Sequence, residues 1–511
     1  MSARLIRGLD SGDTSMPIGD ITTVIDIASR DSQDGYFFPL DTHNSWFSNE
    51  SKLYNTSSLN IQDYVHKGSA EWGGRTTFNV DSLKSGDVVQ NVAIEFKLSH
   101  WYSEEAITKL EAGDWKVDKL NGESWGYING LGNAMIEYAE ITVGDQTISR
   151  ITGEFAQIVL STSASVNSAV GYATDGIGFY ERLVATPNSQ PINSNRPFPT
   201  EGGNYMVILP FFGAGDDTAT KEALPLLSCS EGSVQINIKL RPFNEVVQKL
   251  FGRRLSPTDT PLNKTVYFKD VLTNVTIQQT TALFPPPFKA FHLITFGNYV
   301  SGPNRNTYLR APVEQLMQFS QTFKFDEPLK YSSNKTNSVA DTIDISLPLE
   351  LNNPTKEIMW IFRRKAVSLN NQWSNFSPVI IDEQPQNNNV QQWLRYGIIQ
   401  INGVTVDQGD GEWWRSTFAK KHTGGLLTYN NNVYGYCFSL DPDKHQPSGY
   451  TNMSKAHSVR LNLTVNVPKS IDPPAVGFGE GTDQGWEIQV YSINYNWVRF
   501  ENGLAQKAFA D

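Results

Sequence analysis

The sequence predicts an all-β protein built from two tandem antiparallel β-sandwiches. Three observations carry that expectation. Apolar residues recur at every second position along most apolar segments, helical periodicity is scarce, and the order of features in the first half returns in the second.

Alternation is clearest in three places. Val92, Ile94, Phe96 and Leu98 share one face, with Ala93, Glu95 and Lys97 between them. Val234, Ile236, Ile238 and Leu240 alternate with Gln235, Asn237 and Lys239, and Val459, Leu461, Leu463, Val465 and Val467 alternate with Arg460, Asn462, Thr464 and Asn466. Period two with one apolar face is the pattern of a half-buried antiparallel strand. Near the C-terminus Trp486, Ile488 and Val490 keep one parity while Ile493, Tyr495 and Trp497 keep the other, which predicts a bulge or bend inside one long strand. Helices are expected only at 103–113 and 219–227, with an amphipathic turn or two at 244–251. The polar stretches 161–199 and 382–389, rich in Gly, Asn, Ser and Pro, read as surface loops.

The halves resemble one another. Residues 141–155 (ITVGDQTISRITGEF) form a strand, a turn and a Gly-Glu-aromatic step, and residues 399–413 (IQINGVTVDQGDGEW) repeat that order. Gly144 falls opposite Gly403, and Glu154 opposite Glu412. Further on, 205–210 and the strand from Val234 parallel 436–441 and the strand from Val459 at a shorter offset, so the first half carries the longer loop. A repeat of this length is a duplicated domain; solenoid periods run about 20–50 residues. The expected division is an N-terminal arm 1–24, a first sandwich 25–242, a linker 243–262 at the polar run beyond Pro242, and a second sandwich 263–511. Among sandwiches, the eight-stranded jelly roll is shared by viral capsids, lectins and cupins, and fold alone does not choose between them.

Composition narrows the function. The chain has 511 residues, 39% hydrophobic and 12% aromatic, enough for sizeable cores. A net charge of −11 argues against broad contact with nucleic acid. Arg363-Arg364-Lys365 and Lys420-Lys421 read as solvated strand or segment ends. Cys229 and Cys437 make no disulfide framework and read as core or interface residues of a protein made in a reducing cytosol. The N-terminus lacks the apolar core of a signal peptide, and no window approaches the ~18 apolar residues of a membrane span.

No chemistry-bearing motif emerges. The seven histidines form neither HxH nor HExxH, so a cupin-like metal set lacks its main support, and no metal or cofactor is expected. GxSxG, P-loop and GxGxxG motifs are absent. Glu104-Glu105 and Asp216-Asp217 are neighbours that alternation would point to opposite faces, unlike the facing carboxylates of a glycosidase, so no catalytic residue is assigned. Asp407–Glu412 reads as a Gly-rich hairpin turn, because its spacing departs from that of a calcium loop. Eight Asn-x-Ser/Thr sequons, at Asn49, Asn55, Asn263, Asn274, Asn334, Asn375, Asn452 and Asn462, read as accidents of composition.

Several segments together resemble a known family. Residues 439–455 (SLDPDKHQPSGYTNMSK) are similar to a stretch ending Q-P-S-G-x-x-N-x-S-[RK], with Lys455 where Arg is usual. Residues 492–505 (SINYNWVRFENGLA) are similar to a closing strand of the form S-Y-N-x-x-R-x-x-x-G-x-A, with the correspondence starting at Asn494-Tyr495-Asn496 and imperfect before it. Residues 78–98 with Gly86-Asp87, then 209–212, 223–227 and 234–241, follow in the right order. Over roughly 75–505 the chain thus resembles the major capsid proteins of nucleocytoplasmic large DNA viruses.

That resemblance implies two tandem eight-stranded jelly rolls. It also implies a homotrimeric, pseudo-hexagonal capsomer that tiles an icosahedral shell around a double-stranded DNA genome. The implied partners are further copies of the chain, minor capsid proteins and penton proteins. An internal membrane lies nearby but is not spanned, and nucleic acid is not touched. The implied location is the virion, after assembly in the host cytoplasm, and no enzyme activity is implied. The motif residues Gln446, Pro447, Ser448, Gly449, Asn452, Ser454, Tyr495, Asn496 and Arg499 are expected to be structural. Locally, Pro447 fixes φ, Gly449 tolerates positive φ and Ser448 can bond neighbouring backbone, which makes a rigid loop. Three other readings compete. One is a carbohydrate-binding double β-sandwich, motivated by 12 Trp and the exposed-looking pair Trp413-Trp414; another is a β-sandwich hydrolase, for which no carboxylate pair can be placed; the closest is a minor capsid or penton protein of the same virus class, although those usually hold a single jelly roll.

Overall fold

The alternating segments pair as antiparallel strands in the computed structural model. It describes residues 57–98, 104–163, 204–211, 223–249, 265–280, 288–328, 342–364, 392–466 and 485–509, together with 371, 373 and 376. Short breaks fall at 67–69, 118–124, 129, 145, 230–232, 301, 311, 423–431, 445–446 and 502. The expected arm 1–24, the loop 382–389, nearly all of 161–199, Asp216-Asp217, Lys365 and Gln446 lie outside the described residues.

Sixteen strands form the framework. The first eight are β1 (Ser57–Val65), β2 (Arg75–Val80), β3 (Val88–Leu98), β4 (Ile136–Val143), β5 (Gln146–Thr152), β6 (Asn204–Leu209), β7 (Val234–Leu240) and β8 (Phe288–Val300). The others are β9 (Val313–Pro328), β10 (Thr342–Pro348), β11 (Pro354–Arg364), β12 (Leu394–Ile401), β13 (Val404–Asp410), β14 (Val433–Cys437), β15 (Val459–Asn466) and β16 (Gly485–Glu501). The sheets of the first half run β1-β8-β3-β6 and β2-β7-β4-β5; those of the second run β9-β16-β11-β14 and β10-β15-β12-β13. With each half numbered from one, both read 1-8-3-6 and 2-7-4-5. The duplication inferred from short motifs therefore extends to every framework strand, and each half has jelly-roll connectivity.

The expected boundary at 243–262 is placed too early. After that segment the chain returns to the first half: Thr265–Asp270 pairs with Trp115–Val117, and β8 pairs with both β1 and β3. The polar run after Pro242 reads as a linker because it leaves a strand, but it opens a long excursion between the seventh and eighth strands. The crossing between halves follows β8, through helix α2 (Gly302–Arg310).

Residues 104–111 are helical, as expected. Of 219–227, the described part ends in a single 3₁₀ turn, Leu226–Cys229. The segment expected as an amphipathic turn is a 3₁₀ turn, Phe243–Glu245, followed by a strand, Val247–Lys249, that pairs with Trp125–Tyr127. Two 11-residue helices were not expected, α1 (Gly153–Ser163) and α3 (Gly411–Lys421). Each follows the fifth strand of its sandwich. Asp407–Glu412 is consequently the end of β13 and the start of α3, where the Asp410 carboxylate accepts from Trp413 N at 2.7 Å, and not a hairpin turn.

Glycine opens both helices because backbone crowds both positions. A Cβ on Gly153 would lie 2.0 Å from Asn133 O, and one on Gly411 would lie 2.3 Å from Leu394 O. Gly411→Ala is expected to destabilise the chain by roughly 1–3 kcal/mol, the usual cost of overpacking. Urea denaturation checks this, and an unchanged midpoint would contradict the close approach.

The parity change near the C-terminus has a different origin from the bulge expected there. β16 pairs with β9 in unbroken register from Phe500↔Val313 to Gly485↔Pro328, and the bulge lies on the other neighbour, between Thr355 and Glu357 of β11. Parity changes because β16 is buried on both faces. Trp486, Ile488 and Val490 enter the second core with Trp360, Phe362, Trp393 and Trp414, all fully buried. Tyr491 and Ile493 join the larger core, which also holds Phe78, Phe96, Ile141 and Ile236. Met317, Met359 and Ile361 lie in that larger core too, and the Phe155 ring sits 5.6 Å from Tyr491. Apolar packing is therefore continuous between the sandwiches.

Candidate functional site

Two polar clusters interrupt these cores. The first lies in the seam between the sandwiches. Its centre is Arg363 on β11, whose Nε donates to Glu487 Oε1 at 2.6 Å and whose Nη1 meets Glu154 Oε1 at 3.1 Å. Arg241, just beyond β7, donates to the same Glu154 oxygen at 2.5 Å, and Lys324 on β9 meets Glu487 Oε2 at 2.8 Å. The guanidinium of Arg241 lies 3.8 Å over the ring of Trp373. Trp373 Nε1 in turn donates to Glu245 O at 2.9 Å, and Asn371 Nδ2 donates to Val247 O at 2.6 Å. First-half groups (Glu154, Arg241) and second-half groups (Arg363, Glu487) thus share one ion network.

Burial opposes charge on both carboxylates, but Arg241 and Arg363 outweigh it at Glu154, and Arg363 with Lys324 does so at Glu487. Both are held below the usual carboxylate range. Arg363 is therefore not the solvated strand end expected from sequence. Met359 and Ile361 precede it on the same strand face, so it continues an apolar parity into a buried position.

The second cluster lies under the QPSG loop. Ser448 Oγ accepts from Asp441 N at 2.8 Å and donates back to Asp441 O at 3.1 Å. Gly449 takes φ +146°, and a Cβ there would lie 3.1 Å from Phe438 O. Pro447 is half-buried. Thr451-Asn452 pairs with Pro354-Thr355 at the start of β11. Asn452 caps the next turn by accepting from Ser454 N at 3.1 Å, and Ser454 Oγ accepts from Asn353 N at 2.8 Å. Asn353 itself has φ +69°. These motif residues fasten the loop to the beginning of β11. Ser454→Ala is expected to cost about 1 kcal/mol, the net worth of one hydrogen bond, read as a lower thermal midpoint.

Beneath the loop, Lys356 Nζ donates to Gln318 Oε1 at 2.7 Å and Pro442 O at 2.8 Å, and lies 3.5 Å from Glu357 Oε1. His422, at the end of α3, sits between two carboxylates, with Nδ1 2.7 Å from Asp443 Oδ1 and Nε2 3.2 Å from Glu357 Oε2. Cys437 Sγ is 3.6 Å from Glu357 Oε2 and 3.8 Å from His422 Nε2. Burial disfavours the Glu357 charge, yet Lys356 and His422 hold its carboxyl at about 2. Burial also pushes the Cys437 thiol up to about 11. His422 resists its own burial because Glu357 and Asp443 favour the imidazolium.

The C-terminal motif residues lie on β16. Tyr495 and Asn496 are buried. Asn496 Nδ2 donates to Phe509 O at 2.8 Å and its Oδ1 accepts from Phe509 N at 3.3 Å, which ties the tail down. Arg499 is half-exposed and pairs with Glu501 at 2.8 Å. Sequence reading gave no role to Lys356, Glu357, His422 or Asp443, because they converge only through a strand pair, a helix end and a loop. Trp413 is 47% exposed but Trp414 is fully buried, so the expected exposed Trp pair does not exist.

Family models match both halves of the chain. The family model described as large eukaryotic DNA virus major capsid protein matches residues 311–506, and that for the major capsid protein N-terminus matches 45–266. The chain is 24% identical over 176 residues to a major capsid protein of Pyramimonas orientalis virus, covering 32% of this chain and 39% of that one. It is 26% identical over 117 residues to one of Phaeocystis pouchetii virus, covering 22% and 20%. The matched stretches thus span well under half of those relatives' lengths. Among solved structures, PBCV-1 VP54 matches with a TM-score of 0.62 at 16% identity, over 91% of this chain and all of that one. The Faustovirus major capsid protein matches with a TM-score of 0.55 at 11% identity, over 96% of each chain. At such identities these likenesses establish a shared double jelly-roll fold.

Proposed function

Because this chain belongs to the major capsid proteins of large eukaryotic DNA viruses, we propose that it is a structural shell protein. Three copies close into a pseudo-hexagonal capsomer, and capsomers tile an icosahedral virion around a double-stranded DNA genome. The observation that carries this reading is the strand order 1-8-3-6 and 2-7-4-5, present twice in one chain. Two like sandwiches per subunit and a threefold axis present six similar corners, which closed symmetry can pack edge to edge. We assign the first jelly roll to 57–300, the connection to 301–312 and the second to 313–501.

Other features support the role. The outermost strand β1 exposes Leu59 (64%), Ile61 (59%) and Val65 (70%), an apolar row suited to contact between subunits. Acidity suits a shell separated from its genome by a membrane, with minor capsid and penton proteins as further partners and no catalytic activity. Assembly in the host cytoplasm agrees with the unpaired thiols. Ser448, Asn452 and Ser454 act as fasteners for the described part of the 438–455 loop.

Size-exclusion chromatography with light scattering tests the proposal. The expected particle has three times the 57.1 kDa chain mass. A stable monomer across low and high salt counts against it.

A further inference from the structure

We propose that Glu357, His422 and Cys437 form a binding site for one zinc ion per chain. The three ligand atoms come from rigid elements. Glu357 and Cys437 are direct cross-strand partners on β11 and β14, and His422 closes α3. All three atoms lie within 4.8 Å of one another, and Glu357 and His422 are buried.

The spacing matches that of ligand atoms around one metal ion. Zinc bound tetrahedrally at its usual distances to S, N and O sets its ligand atoms roughly 3.3 Å apart for N···O and about 3.5–3.6 Å for S···O and S···N. The observed separations are 3.2 Å for His422 Nε2 to Glu357 Oε2, 3.6 Å for Cys437 Sγ to Glu357 Oε2, and 3.8 Å for Cys437 Sγ to His422 Nε2. All three separations are close to those expected edges, while also lying within hydrogen-bonding range.

The surroundings also fit. Asp443 lies 2.7 Å from His422 Nδ1, on the side away from the other ligands. A carboxylate there fixes the tautomer that leaves Nε2 free to bind metal. Lys356 approaches Glu357 through Oε1, which leaves Oε2 for the ion. Thiolate, imidazole and carboxylate together suit zinc better than magnesium or calcium. Binding needs Cys437 as thiolate and His422 as neutral imidazole, so any protons on the ligand atoms leave as the ion enters.

The test is made on the full-length capsomer, purified without chelator and also refolded with zinc or with cobalt(II). Elemental analysis is expected to find about one zinc per chain. Cobalt is expected to give thiolate-to-metal charge-transfer absorption in the near ultraviolet, and Cys437→Ser is expected to abolish it. Asp443→Asn, which keeps all three ligands, is expected to weaken metal affinity about 10–100-fold. Wild-type protein that holds no stoichiometric zinc after refolding and shows no charge-transfer band with cobalt overturns the site. Those two wild-type measurements decide the matter even if a variant does not fold.

Discussion

Arg363→Met lowers the unfolding free energy by about 3–5 kcal/mol at neutral pH, the range for removing one partner of a buried ion pair. The reason is what remains behind. Glu487 loses its buried cationic partner and keeps the half-exposed Lys324 and the Gln489 amide, and Glu154 keeps Arg241. Methionine fills a similar volume, so the loss reports charge more than packing. A companion variant, Arg363→Met with Glu487→Gln, is expected to recover part of the loss, because the carboxylate left without its buried cation is then neutral while Glu154 still pairs with Arg241. Guanidinium denaturation of both variants checks this. Equal stability of Arg363→Met and wild type would show that the seam network contributes nothing.

Acidification is expected to destabilise the wild-type chain progressively below about pH 4.5, the ordinary glutamate range. Glu154 and Glu487 are held below that range in the folded state. Their contribution is therefore present above the unfolded pKa and is lost as pH falls through the folded values. Each unit by which a carboxyl is lowered adds about 1.4 kcal/mol that disappears on protonation. In Arg363→Met the carboxyls rise, so the gap between variant and wild type should narrow in acid. Thermal midpoints of both proteins from pH 7 to pH 3 provide the measurement; a gap that stays constant would contradict the ionic origin of the effect.

Much of the fold was legible because burial on one face leaves a simple trace. β15 alternates strictly, β3 does so from Val92 onward except at the buried Ala93, and β7 does so except at the buried Asn237, so the pattern located them directly. α1 and α3 were not legible. Each begins with a glycine forced by the nearby backbone, and α3 carries Trp413, Ser416 and Thr417 on its exposed side, so no clear helical stripe forms. The domain boundary was misjudged for a topological reason. A polar run can leave a sandwich for good or return to it, and only the pairing of β8 with β1 and β3 distinguishes the two. The site was partly legible. Ser448, Gly449, Asn452 and Ser454 form one continuous loop, so their local chemistry was readable in order. Arg363 and Glu487 meet across two strands, and His422, Glu357 and Cys437 across three elements. Such convergence leaves no spacing to read.

Pairing of the first strand with the last has a consequence for biosynthesis. Ser57 lies opposite Val300, so the first sheet lacks its second member until about 300 residues have left the ribosome. At roughly 5–20 residues per second that wait lasts tens of seconds at the slower rates, while the hydrogen-bonding edges of β1 and β3 stay open to wrong partners. So distant a contact closes late, and these edges are therefore open longer in the nascent chain than in the finished subunit.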